Sequence, residues 1–419
     1  MEIVSIILFL LVLTYTLINW RKALLMLAPF SVIFQPYLCL RYESPALSLL
    51  LFFQIIYLAV YYTKGRRLKF KEFPLRKAFV LLFISQIIGL IVSPLPLMSN
   101  LPWLFSTIIS YLFVIAYYNE LQTGKDVILS VKGLLVAFVI MSIYFLYEYT
   151  SQSNPLVEYL WSHLPIEKEW IYYTSEERFG KIRCQSIMAI CISWGAFGCM
   201  ILWFVNAVMK NKIRAFSKWL LYYIALVSSL AVVSSGSRSA YVFAIFFVIS
   251  FIVNYKGKYR FLFRFALLLA ICMSFGLIAS YFSDLFSDNI TGSNINQRQL
   301  QFIAAFSVIE SSPLWGFGIK GIESLRSIGN TEVLGAESIW LQQLISYGLI
   351  GVYSQFYIYR TCYKFSKQIN PHNNATRLFL FGWITFSTMS SSPGLTEAYF
   401  LLLFFLLSKL YHLKTARLS

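Results

Sequence analysis

Residues Asp284–Ser338 read DLFSDNITGSNINQRQLQFIAAFSVIESSPLWGFGIKGIESLRSIGNTEVLGAES, a polar insert between two apolar runs that leads directly into IWLQQLISYGLIGV. Connections between membrane helices are usually short, so a long insert with aromatics and spaced glycines is expected to be functional. The chain around it is 58% hydrophobic and only 13% charged, with a mean hydropathy of +0.67. Soluble proteins carry about 25% charged residues. Successive apolar runs of roughly 17–23 residues suit helices crossing a ~30 Å hydrocarbon core. The period-2 alternation of a membrane β-barrel is absent. The expected fold is an all-α polytopic membrane protein, one transmembrane domain over residues 1–419.

Working outward from the insert, candidate spans fall at 3–20, 23–40, 45–63, 78–97, 102–118, 128–148, 185–208, 219–235, 239–255, 261–282, 339–359, 378–393 and 397–412. That makes roughly 12–13 transmembrane helices, the lower count applying if 23–40, with Pro29 and Pro36, does not cross. The net charge of +17 sits mostly in short loops, as the positive-inside rule produces, so no nucleic-acid partner is expected. The most basic connection, Lys64–Lys71, is assigned to the cytoplasm. Alternating from it places Arg21/Lys22, Lys125, Lys210–Arg214, Lys256–Arg260 and Arg360–Arg377 on the same side. Two large loops, 149–184 and 284–338, then share the outer face. No similarity between halves suggests a repeat-built transporter. The six cysteines lack metal or disulfide spacing and read as small core residues. Met1 enters an apolar run with no cleavage-site pattern, so a removable signal peptide is not expected.

Four stretches carry groups suited to chemistry. In SSGSRSA (234–240), Ser237 and Arg238 lie at a span junction with almost no loop; an arginine there either meets an anionic partner or snorkels to tether the turn. Serines and a glycine around it suit phosphate oxygens. In NQRQLQF, Arg298 falls in the first turns of an amphipathic helix over 294–312, expected to lie on the membrane surface with Phe302, Ala305, Phe306 and Ile309 inward. A cation there gains nothing from the helix dipole, and a ligand contact and a solvated face are equally open. In PLWGFGIKG (313–321), Gly316 and Gly318 allow close backbone approach to a ligand and Lys320 adds a cation, although a plain glycine turn fits as well. Glu337 precedes the span at 339–359, where a carboxylate serves either as a general base or as a complement to the helix dipole. Loop 149–184 adds aromatics suited to sugar rings, and Arg178, Lys181 and Arg183 lend positive potential above a cavity. Asp284 and Asp288 share a helical face, but no third ligand stands near, and no metal is expected.

These pieces in this order resemble the bacterial O-antigen ligase and polymerase superfamily, over roughly residues 185–360: SSGSRSA at 234–240, the arginine of NQRQLQ, SPLWGFG at 312–318 and ESIWLQQLISYGLIG from Glu337 to Gly351. The resemblance implies a GT-C-like helical fold in the bacterial cytoplasmic (inner) membrane, with the site facing the periplasm or exterior. It also implies a metal-independent glycosyltransferase without cofactors. The donor would be an undecaprenyl-diphosphate-linked oligosaccharide, and membrane lipids and a chain-length regulator protein would be partners. By the same resemblance Arg238 and Arg298 match the two arginines that hold the lipid diphosphate. Ligases place a histidine followed by asparagine eleven residues before the first glycine of the closing motif. Counting back from Gly348, that position is Glu337, followed by Ser338, which points to a repeat-unit polymerase with Glu337 activating the acceptor. The alternatives are a ligase acting on lipid A core and, in a different class, a lipid-linked oligosaccharide flippase.

Overall fold

The computed structural model describes residues 2–41, 47–163, 177–178, 181–254, 295–327, 337–390 and 395–415. Among them the chain is almost wholly helical: α1 Glu2–Ile18, α2 Trp20–Phe30, α3 Leu49–Thr63, α4 Arg76–Val92, α5 Leu97–Glu120, α6 Gly124–Ser151 and α7 Pro155–His163. There follow α8 Cys191–Lys210, α9 Lys218–Ser234, α10 Arg238–Asn254, α11 Ile295–Ser311, α12 Gly321–Ser327, α13 Ile339–Ile369, α14 Ala375–Met389 and α15 Glu397–Thr415. The strands among the described residues are two short antiparallel pairs, β1 Cys39–Arg41 with β2 Leu47–Ser48, and β3 Glu177–Arg178 with β4 Lys181–Ile182. Among the described residues three helices, α5, α6 and α8, are long and apolar enough to cross a membrane. The protein is an all-α membrane protein.

α15 is the hub of the bundle, buried without a break from Ala398 to Leu407. It stacks Phe400 on Trp383 of α14, with ring centroids 4.5 Å apart. α8 is nearly as enclosed, and its Trp194 stacks on Phe138 of α6. Outer helices turn large apolar side chains outward instead, among them Leu11, Trp219, Leu226 and Val233, as a surface solvated by lipid requires.

The two ends of α6 define two ends of the bundle. At its start a Thr123–Asp126 capping box fixes the first turn, satisfying amides that have no intrahelical partner. Arg21 bridges Asp126 and Glu120 at 3.0 Å each, with Arg66 3.8 Å from Glu120 and stacked on Trp20. Lys409 of α15 reaches the carbonyl of Leu121 here. The basic loops at 21–22, 64–67 and 125 therefore share one end. The other end of α6, about 40 Å away at 1.5 Å per residue, faces the candidate site.

Two expected spans differ. The segment 23–40 is helical only as α2, which stops at Phe30, just past Pro29, and passes through a short 3-10 turn, Ser31–Ile33. At eleven residues, about 16 Å, α2 is too short to cross as a helix. The segment 339–359 is not one straight span, because α13 breaks at Gly348 and folds back on itself. The span at 261–282 lies outside the described residues.

Candidate functional site

The turn between α9 and α10 spans Ser235–Ser237, and Gly236 makes it with φ +57°. Its serines are buried and bonded. Ser235 Oγ donates to the Val232 carbonyl at 2.8 Å and accepts from the Ser237 amide at 3.3 Å. The Ser237 and Ser239 hydroxyls lie 3.0 Å apart, and Ser390 Oγ, just past α14, donates to Ser239 Oγ at 2.7 Å. Arg238 is thereby fixed, half-buried, as the first residue of α10. A guanidinium at a helix N-terminus lined by hydroxyls is an anion-binding arrangement.

The turn is also held from outside. Arg183 is buried, its Nε donating to the Ser235 carbonyl at 2.8 Å, and the Cys184 amide donates to the Ser234 carbonyl at 3.1 Å. Behind them Glu148, at the end of α6, accepts from the Ser186 amide at 2.7 Å, the Gln185 amide at 3.1 Å and Asn154 Nδ2 at 2.7 Å. Glu148 thus pins both ends of the 149–184 loop. Of the three cations expected above the cavity, Arg183 supports the turn and Lys181 is exposed. Arg178 pairs with Lys181 through the β3–β4 backbone. Replacing Glu148 with alanine leaves buried amides unpaired, at roughly 1–3 kcal/mol each. We expect a clear drop in melting temperature in detergent, and a smaller one for Glu148→Gln, which keeps an acceptor.

The PLWGFGIK segment clasps the break in α13. The Phe317 and Gly318 amides donate to the Ile345 and Ser346 carbonyls at 2.8 Å each, and the Leu349 amide donates to the Pro313 carbonyl at 2.9 Å. The Ile319 amide adds a bond to Gly89 of α4 at 3.1 Å. Carbonyls freed where a buried helix breaks need such donors. A Cβ on Gly316 would stand 2.6 Å from the Ile345 carbonyl oxygen, and one on Gly318 would collide with Gly89. Both glycines approach the chain's own backbone. Lys320 pairs with Glu323 at 2.9 Å.

At the break Gly348 takes φ +61° and ψ −154°. A straight helix would separate Trp340 from Tyr359 by about 28 Å, yet their ring centroids are 5.8 Å apart. The two arms of α13 cross closely at Gly351, where a Cβ would meet the Gln343 carbonyl at 2.7 Å. This fold-back carries Glu337 away from the clasp and alongside α14, where Trp340 Nε1 donates to Thr388 Oγ1 at 2.8 Å. Thr388 and Ser390 are two residues apart, so the end of α14 touches both the neighbour of Arg238 and the helical turn after Glu337. The third stretch joins them through α11. Its buried Gln301 accepts the Glu337 amide at 3.2 Å, and position 298 lies one turn earlier on the same helix. On that helix Ala305 and Val308 pack with Leu325 and Ile345, whereas Phe302 and Phe306 lie 53% and 61% exposed on a neighbouring face. The inward stripe follows 301, 305 and 308, because α11 packs against the first arm of α13.

Glu397, at the start of α15, is half-buried and accepts from Gln355 Nε2 at 3.1 Å, Tyr359 Oη at 3.2 Å and Trp383 Nε1 at 3.1 Å. It ties the second arm of α13 to α14. Neither Glu148 nor Glu397 stands out in the sequence, since their partners come from other segments of the chain. Asp284 and Asp288 lie outside the described residues.

No curated protein matches this chain. The family model for O-antigen ligase matches residues 223–354, which run from α9 through the Arg238 turn, α11 and the clasp to the fold-back. This match, over part of the chain, supports a likeness to the O-antigen ligase and polymerase superfamily.

Proposed function

We propose that the protein polymerises undecaprenyl-diphosphate-linked oligosaccharide repeat units into O-antigen or capsule-type polysaccharide at the outer face of the cytoplasmic membrane. The observation that carries this is the meeting of three separated stretches, those of Arg238, Arg298 and Glu337, at one end of α14. That end lies opposite the basic cluster of Arg21 and Arg66, and basic loops favour the cytoplasm. Outside the membrane no ATP is at hand, so the donor's own sugar–diphosphate bond must supply the free energy.

Glu337 takes the proton from an acceptor sugar hydroxyl, whose oxygen attacks the anomeric carbon. The bond from that carbon to the diphosphate oxygen breaks, and its electron pair leaves with the lipid diphosphate. Arg238 and Arg298 meet the charge that grows there. Ser237, buried beside Arg238, holds the turn in the shape that presents the guanidinium. Arg183 acts behind it. The clasp holds the insert to α13 and α4.

The family description favours a second reading, transfer of finished glycan to lipid A core; a glutamate where ligases carry histidine favours polymerisation. The test uses the purified protein in liposomes with the host's own lipid-linked repeat unit, extracted from a strain lacking this chain. A ladder of extended products is the expected result. Transfer only onto added lipid A core establishes the ligase, and movement across the bilayer without bond formation a flippase. Glu337→Gln is expected to lower turnover about 10²–10⁴-fold; wild-type turnover removes it as the base.

A further inference from the structure

Among the described side chains of α11, the stripe that faces α13 is apolar except at one place. Ala305 and Val308 pack against Ile345 and Leu325, but Gln301 interrupts the stripe one turn before Ala305 and is only 5% exposed. A buried amide side chain is costly unless bonded, and if packing were its whole role an aliphatic residue would fill the place better. Its Oε1 accepts from the main-chain amide of Glu337 at 3.2 Å.

The fold explains why these two residues meet. α11 ends at Ser311 and runs straight into the clasp, and the first arm of α13 ends at Gly348 in the same clasp. Gln301 stands twelve residues before Pro313 and Glu337 eleven before Gly348. The two helices therefore lie side by side with their far ends level. At those far ends the clasp no longer fixes their register, and the bond from Glu337 to Gln301 does. One turn before Gln301 is position 298.

We propose that Gln301 is a positioning residue that sets the first turn of α13, and with it Glu337, against the Arg298 turn of α11. It does no chemistry itself. It rests on the polymerase reading above for the roles of Glu337 and Arg298. Its oxygen fixes how far apart the base and the diphosphate site stand, and misplacement of a base by about 1 Å costs on the order of a hundredfold in rate.

The experiment compares Gln301→Met and Gln301→Glu in liposomes with the same extracted lipid-linked repeat unit. Methionine matches the length and removes the acceptor; glutamate keeps an acceptor oxygen in place. Expected are a fall in kcat of about a hundredfold for Gln301→Met, with KM and melting temperature little changed, and recovery of most of that loss in Gln301→Glu. In a Glu337→Gln background, Gln301→Met should add almost nothing, because the group it positions is gone. Wild-type kcat in Gln301→Met while Glu337→Gln is inactive overturns the positioning role alone. A methionine loss that glutamate does not recover, or one that adds in full to Glu337→Gln, overturns it as well. Wild-type turnover in Glu337→Gln instead removes the catalytic assignment on which the proposal rests.

Discussion

Arg238→Ala is expected to lower chain extension by about 10²–10³-fold, the usual cost of removing one preorganised donor from a developing anion. The protein should still insert and melt close to the wild-type temperature. The turn that carries Arg238 is built by other groups: the Ser235, Ser237 and Ser239 hydroxyls, the Ser390 hydroxyl from α14 and the buried Arg183 beneath Ser235. Removing the guanidinium therefore empties the site without unmaking its frame. Lysine at 238 should restore little, because a point charge on a flexible stem does not reproduce a planar fork aimed at two oxygens. Arg298→Ala should fall in the same range. Full-length product from either variant, measured by gel ladder in liposomes, removes the diphosphate assignment from that residue.

The second large effect is expected on folding. Gly348 holds φ +61° and ψ −154°, a conformation that residues with a Cβ strongly avoid, at about 1–3 kcal/mol. A Cβ there would also lie 2.5 Å from the Leu314 carbonyl and 2.6 Å from the Trp315 nitrogen. Both are backbone atoms of the clasp, so they have little room to move. Gly348→Ala should open the clasp, lower the melting temperature in detergent by many degrees and abolish polymerisation. Gly65, also at positive φ but with nothing within 4 Å of a Cβ, is the control. Its alanine variant bears the backbone cost alone and should melt only slightly lower. Equal losses at the two positions would mean that the clasp contributes nothing beyond glycine's conformational freedom.

Much of this molecule follows from composition and local pattern. Apolar runs demand helices in a bilayer because every backbone group must bond within its own segment. Short motifs, SSGSR above all, supply the candidate site residues, and the tight turn at 235–237 follows from the lack of loop between two apolar runs. The amphipathic helix of the insert was legible to within a residue at each end, but of the face buried against α13 only Ala305 was. Phe302 and Phe306 are more apolar than Ala305, yet α13 lies against the smaller residues, and a hydropathy pattern does not say which neighbour will come close.

Tertiary structure alone decided that ESIWLQQLISYGLIG is a hairpin of two helical arms. Its residues have helical propensity throughout, and a glycine within an apolar run reads as tolerated. The break exists because amides from Phe317 and Gly318, nearly thirty residues earlier, supply the bonds that Ile345 and Ser346 lose within the helix. Nothing local announces donors that arrive from so far away. The same holds for Glu148 and Glu397, ordinary glutamates in the sequence, each made a junction by three donors from elsewhere in the chain. The sequence by itself named the groups that the candidate site would use, because chemistry resides in side chains. Where those groups meet was decided by long-range backbone pairing, since the energy of that pairing appears only once the helices have packed.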